Sequence, residues 1–178
     1  MSSFIQTAIP YLVVASHVLL VFMVITTIWR KSWSKEFAFF GKYALSLSLL
    51  VAFGAVAGSL FYSEIVGYPP CVLCWWQRVF LYPTLPLFAV ALWKRDYGVF
   101  KYTNVLAIIA GVFALYHSYV YWGGKSLLPC TALGGACSKI YVYAMGYITI
   151  PSMSLTIVVY LLVLAWINKL YRNENRNA

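Results

Sequence analysis

A chain of 178 residues that is 63% hydrophobic and 10% charged, with mean hydropathy +0.81, excludes a water-soluble fold, in which about a quarter of the residues carry charge. The formal charge of +9 does not mark a nucleic-acid binder, because Lys and Arg cluster between apolar runs instead of interleaving with aromatics on one surface. Three clusters stand out: Arg30, Lys31, Lys35 and Lys42; Lys94, Arg95 and Lys101; Lys169, Arg172 and Arg176. The positive-inside rule makes all three cytoplasmic.

The first uncharged run, Ala8 to Trp29, is long enough to cross the roughly 30 Å hydrocarbon layer. No basic segment precedes it and no clear small-residue cleavage site follows, so a spanning helix is expected, not a removable signal peptide. Arg30 and Lys31 behind it orient its N-terminus outward. The second run, about Tyr43 to Ser63, leaves the cytoplasmic Lys42 and travels outward. Its exit carries Glu64, Gly67, Tyr68, Pro69 and Pro70, where the prolines force an extended segment. Cys71 and Cys74 follow at once, on the outer face.

A third span is expected from about Trp75 to Trp93, with Pro83 and Pro86 inside it, returning to Lys94. The fourth, about Tyr102 to Trp122, goes outward and ends at Gly123 and Gly124. An external segment, residues 123–147, carries Cys130 and Cys137, and the last span, about Ile148 to Asn168, returns to the basic tail. Five spans result, with the N-terminus and all four cysteines outside and the C-terminus inside. The charges fix this arrangement without reference to the cysteines.

Cys71-Val72-Leu73-Cys74 is a C-x-x-C at the mouth of a helix, a spacing that lets two thiols close and reopen a small disulfide ring. Cys74 is expected near the N-terminus of span three, where free amides and the helix dipole favour a thiolate, the reactive form. Arg78 lies one turn after Cys74 on the same face. Its charge suits either that thiolate or the negative charge developing on a bound quinone, and the bland alternative is an Arg reaching the outer headgroups. Cys130 and Cys137 bracket a loop of small residues, read either as a structural staple or as a second dithiol couple. Two couples on one face are what a relay through mixed disulfides requires. His117, near the outer end of span four among Tyr116, Tyr119, Tyr121 and Trp122, is either a quinone-carbonyl partner or an interface histidine. His17 is expected to pack against a neighbouring helix, and Glu64 to sit in headgroups or pair locally.

Pro70-Cys71-Val72-Leu73-Cys74-Trp75-Trp76-Gln77-Arg78, followed by Tyr82-Pro83, resembles the DsbB family of disulfide bond formation proteins, particularly its shorter BdbC-type branch. The segments Gly58 to Ile65 and Gly146 to Pro151 share the likeness, which covers roughly residues 43–170. The resemblance implies an all-α membrane protein: a four-helix bundle over 43–170, preceded by an extra transmembrane helix and basic loop in 1–42 and followed by a polar tail in 171–178. It implies a bacterial cell-membrane thiol:quinone oxidoreductase that supports disulfide formation in exported proteins. The electron acceptor would be a quinone, menaquinone or ubiquinone, and the partner a thioredoxin-like extracytoplasmic oxidase of the DsbA or BdbD kind. No metal is expected.

By that likeness Cys130 and Cys137 accept electrons from the partner, with Cys130 forming the mixed disulfide, and Cys71 and Cys74 receive them in turn. Cys74 and Arg78 match the cysteine and arginine beside the quinone, and His117 matches a polar residue lining that pocket. The extra helix departs from the family pattern. The gap of six residues between Cys130 and Cys137 departs from the longer branch but suits the shorter one. Three other readings stay open: a vitamin K epoxide reductase-like protein, in which the quinone-facing C-x-x-C belongs to a later helix; a metal-binding or transport protein with thiolate ligands; and a scaffold with inert staples.

Overall fold

The computed structural model describes residues 2–29, 34–125, 137 and 139–177. Among these the chain is helical, with a single isolated bridge between Ala144 and Ile148 in place of any strand. Four segments are long and apolar enough to cross a membrane: 8–28, 44–65, 99–121 and 150–176. Large apolar side chains stand exposed along their outer faces, for example Leu12 and Val18 on the first, Leu50 and Phe53 on the second, and Val105 and Val112 on the third. Water would not tolerate such a surface, but hydrocarbon does. The chain is therefore an all-α membrane protein.

α1, Ser2–Ile28, is the extra N-terminal helix. The segment expected as a basic loop contains a short helix, α2, Ser34–Lys42, whose Phe37, Phe40 and Gly41 are buried against the bundle. α3, Ala44–Leu60, runs without interruption into a π-helical turn, Phe61–Ile65. In that turn the Val66 amide reaches back five residues to the Phe61 carbonyl at 3.0 Å, a local widening that often accompanies functional sites.

The expected third span, about Trp75 to Trp93, is corrected. It begins at Val72 and is two helices, α4, Val72–Leu81, and α5, Thr84–Lys94. Pro83 has no amide proton and its ring obstructs the carbonyl four residues back, so the helix stops at Tyr82. The Thr84 hydroxyl donates to the freed Leu81 carbonyl at 2.6 Å. Pro86 falls in the first turn of α5, where amides have no helical acceptor anyway.

α5 ends on Arg95 in the left-handed conformation (φ 54°). Asp96 Oδ1 then accepts the Gly98 amide at 2.7 Å, turning the chain into α6, Val99–Tyr121. α7, Ile150–Asn177, starts on a reciprocal cap in which Thr149 Oγ1 accepts the Ser152 amide at 3.2 Å and Ser152 Oγ accepts the Thr149 amide at 2.7 Å. Its 28 residues make a rod of about 42 Å, so its basic end projects beyond the hydrocarbon layer.

The main core joins α3, α5, α6 and α7 through Ala44, Ala52, Phe88, Ala107, Ala110, Val158, Leu161 and Ala165. Small residues there let the backbones approach closely, which is how helices associate in lipid. A second cluster, including Met23, Phe37, Phe40, Tyr160, Leu164 and Ile167, joins α1 and α2 to α7. At that end Asn168 Nδ2 donates to the Gly41 carbonyl at 3.2 Å and the Arg172 guanidinium lies 4.4 Å from the Tyr97 ring centroid. Lys42, the α5–α6 turn and the tail of α7 thus share one end of the bundle. The α4 N-terminus, His117 and Cys137 share the other.

Candidate redox site

Pro69 and Pro70 deliver the chain extended into Cys71, which takes the N-cap of α4 with φ −76° and ψ 171°. From there Cys71 Sγ accepts the backbone amide of Cys74 at 3.4 Å and lies 3.2 Å from Cys74 Sγ. Both are free thiols, one buried and one half-buried. The unsatisfied amides of the helix start therefore act on Cys71 and not on Cys74, which corrects the expected order of the two sulfurs.

His117 comes to the pair from α6. It is 4% exposed, with Nε2 3.7 Å from Cys71 Sγ and Nδ1 3.0 Å from Gln77 Nε2. When the Gln77 carboxamide donates to Nδ1, the remaining ring proton sits on Nε2 and faces the Cys71 sulfur. The hydrogen bond from the Cys74 thiol, opposed by burial and reinforced by His117 and by the Cys74 amide, draws the Cys71 thiol down to about 4. Two sulfurs this close do not both carry charge. One resting thiolate, at Cys71, is the consequence.

Arg78 lies one turn beyond Cys74 on α4. Its Nε donates to Ser59 Oγ at 3.0 Å and an Nη to the Ser59 carbonyl at 3.1 Å, both on α3. The guanidinium stands 5.3 Å from the Trp75 ring centroid and 5.9 Å from that of Tyr82. These partners are neutral, so they aim the charge without cancelling it.

Cys137 is 2% exposed, is disulfide-bonded, and belongs to the same buried cluster as Cys71, Leu73 and Val120. Cys130 lies outside the described residues. His17, by contrast, is remote from the thiols: its Nε2 is 2.9 Å from Thr156 Oγ1 on α7 and its ring is 5.8 Å from that of Tyr147. Glu64 accepts the Ser63 hydroxyl at 3.0 Å.

Cys71, Cys74, Gln77, Arg78 and His117 line one end of a cavity of about 550 Å³. Its volume is that of a small-molecule site. Three tyrosines sequence reasoning passed over also line it: Tyr62, Tyr82 and Tyr141. Their buried hydroxyls have no partner among the described residues, and such groups normally find one. Tyr62, Tyr68 and Tyr141 stack in series, with centroids 6.0 and 4.8 Å apart. An apolar hollow with waiting hydroxyls and a fixed cation fits a flat ring carrying carbonyl oxygens. Gln77 was legible from its spacing on the Cys74 and Arg78 face. Tyr62 and Tyr141 were not, since only tertiary folding brings them together. Cys71, Cys74 and His117 also place three donor atoms within 4.8 Å of one another, close enough to share a thiophilic ion.

The family model for disulfide bond formation protein DsbB matches residues 41–168. The SPbeta prophage-derived disulfide bond formation protein B of Bacillus subtilis is 40% identical over 112 residues, 63% of this chain and 75% of that relative. The probable disulfide formation protein C 1 of Bacillus cereus is 35% identical over 119 residues, 64% of this chain and 83% of the relative. The disulfide bond formation protein C of Bacillus subtilis is 33% identical over 132 residues, covering 73% and 95%. No solved structure matches the chain.

Proposed function

The chain belongs to the DsbB family of disulfide bond formation proteins, and from that premise we propose that it is a thiol:quinone oxidoreductase. It would reoxidise a thioredoxin-like extracytoplasmic oxidase and deliver the electrons to a membrane quinone, menaquinone or ubiquinone. The observation that carries this reading is the shared cavity: Cys74, Arg78 and His117 surround one apolar hollow while Cys71 backs onto Cys137. The basic groups at the opposite end of the bundle support the redox end being extracytoplasmic in a bacterial cell membrane.

In this reading a thiolate of the reduced partner attacks the disulfide of the Cys130/Cys137 couple at Cys130, forming a mixed disulfide and releasing Cys137. The partner's second thiol closes its own disulfide and leaves Cys130 and Cys137 reduced. Cys137, buried beside Cys71, then attacks the Cys71/Cys74 disulfide at Cys71 and expels Cys74 as a thiolate. Cys130 resolves that intermediate, and the two electrons now rest on Cys71 and Cys74. A bound quinone supplies the sink, taking two electrons and two protons. Arg78 holds a positive charge at the hollow where negative charge develops, already oriented by Ser59. His117, fixed by Gln77, presents its Nε2 proton to the Cys71 sulfur and so supports the thiolate that exchange requires. Direction needs only small differences in potential between couples, since about 30 mV is ~1.4 kcal/mol.

The test is Cys74→Ser in membranes supplied with reduced partner. Quinone reduction is expected to fall to background, and undiminished turnover would sink the route. The three converging donors favour one rival, a thiophilic metal site. Purified protein holding stoichiometric zinc or copper with its thiols unoxidised would favour that rival.

A further inference from the structure

We infer that α1 closes a channel for the isoprenoid side chain of the quinone, an inference that rests on the quinone reading above. The family match begins at residue 41, so α1 lies outside it. The cavity that starts at Cys74 and Arg78 does not end there. It continues between α1, α3 and α7 as far as Met23, Phe40 and Leu164, at the opposite end of the bundle. The α1 residues that line it, Ile9, Val13, Ser16, Leu19 and Met23, recur every three or four positions, which is one face of a helix. From Ile9 to Met23 is about 21 Å of helix rise. The hollow is therefore long and mainly apolar: its thiols and its arginine gather at one end, and Ser16, Ser154 and Thr156 are interspersed among apolar side chains further along.

A helix that merely packed onto the bundle would fill this space, because protein interiors close to crystal-like density. α1 is instead held at fixed points. The Tyr160 hydroxyl donates to the Ser16 carbonyl and His17 pairs with Thr156, while Met23 packs with Phe40 and Leu164 at the far end. Opposite it, Gly54 and Gly58 on α3 line the cavity, and a methyl group added at either would meet nothing within 4 Å. The channel is thus bridged at intervals and hollow between. One occupant matches both its shape and its continuity with the thiols: an apolar chain attached to a ring that sits at Cys74 and Arg78.

The experiment compares a polyprenyl quinone with its tail-less ring analogue as acceptors for the full-length protein in detergent. Val13→Trp narrows the channel from α1 and Gly54→Leu from α3, while Val18→Trp adds the same bulk to the lipid-facing side of α1. Both channel variants are expected to lower kcat/KM for the polyprenyl quinone about tenfold relative to the tail-less ring, ~1.4 kcal/mol. Val18→Trp should keep the wild-type ratio. Equal losses on both acceptors, or no loss with Val13→Trp, would overturn the channel. So would a wild-type enzyme indifferent to the tail, and so would loss of a copurifying phospholipid from Val13→Trp with the ratio intact. If the wild-type enzyme reduces neither acceptor, the quinone reading itself falls, and the channel with it.

Discussion

Cys71 owes its low affinity for a proton to neighbours that differ in kind, and each can be removed alone. Because its pKa is lowered from 9.0 to about 4, the thiolate persists above that value and is lost only as pH falls through it. Alkylation of the reduced protein should stay nearly flat from about pH 8 to about pH 5, where an ordinary thiol slows about tenfold per unit. A log-linear decline over that interval, measured by iodoacetamide labelling with mass-spectrometric assignment to Cys71, would contradict the geometry. His117→Ala removes one lowering contact and should move the inflection upward. Arg78→Lys tests a different quantity. Lysine keeps the charge but can neither fork onto Ser59 nor stack on Trp75, so the KM for quinone should rise several-fold while exchange with the dithiol partner continues at its former rate. Equal damage to both half-reactions would mean that Arg78 serves the fold and not the acceptor.

Among the elements, those visible in the sequence were the ones a single physical rule determines. Uncharged runs of membrane length gave α1, α3, α6 and α7, because hydrocarbon permits little else. The break at Tyr82 and Pro83 was harder to see, since prolines in a membrane helix produce either a kink or a stop. The choice depends on a local acceptor swap, here the Thr84 hydroxyl onto Leu81. α2 was hidden because its three buried positions acquire meaning only against α7. The site divides the same way. The C-x-x-C and Arg78 share one helix and were readable from spacing, whereas His117 meets Gln77 across 40 positions. Helix contact also separates two glycines. A Cβ at Gly111 on α6 would lie 3.1 Å from Val158 Cγ1 on α7, whereas one at Gly54 would meet open space. Gly111→Leu should therefore wedge α6 from α7 and cost about 1–3 kcal/mol, lowering Tm in detergent. Gly54→Leu should leave Tm level or raise it, since Gly is a poor helix former. Similar shifts for both would refute the packing at Gly111.

For the molecule as a whole, the sidedness of the two ends decides whether the site can meet exported substrates at all. One end gathers Lys42, Lys94, Arg95, Lys169, Arg172 and Arg176, tied together by Asn168 to Gly41 and by Arg172 over Tyr97. The other holds the thiols and the segment after α6, where the Tyr121 hydroxyl donates to the Val142 carbonyl at 2.8 Å. Charge bias sets orientation during insertion, since each basic residue near a span resists translocation, and here those six outnumber Lys125 and Lys139 at the thiol end. In a background with all four cysteines replaced by serine, Asp96→Cys should resist a membrane-impermeant maleimide in intact cells and react after permeabilisation. Tyr143→Cys should react in both. Labelling of Asp96→Cys in intact cells would invert the molecule and leave the thiols in the cytoplasm, where glutathione keeps such pairs reduced. An oxidase delivering electrons outward-in could not work from there, so this measurement bears on function as directly as any change to the cysteines.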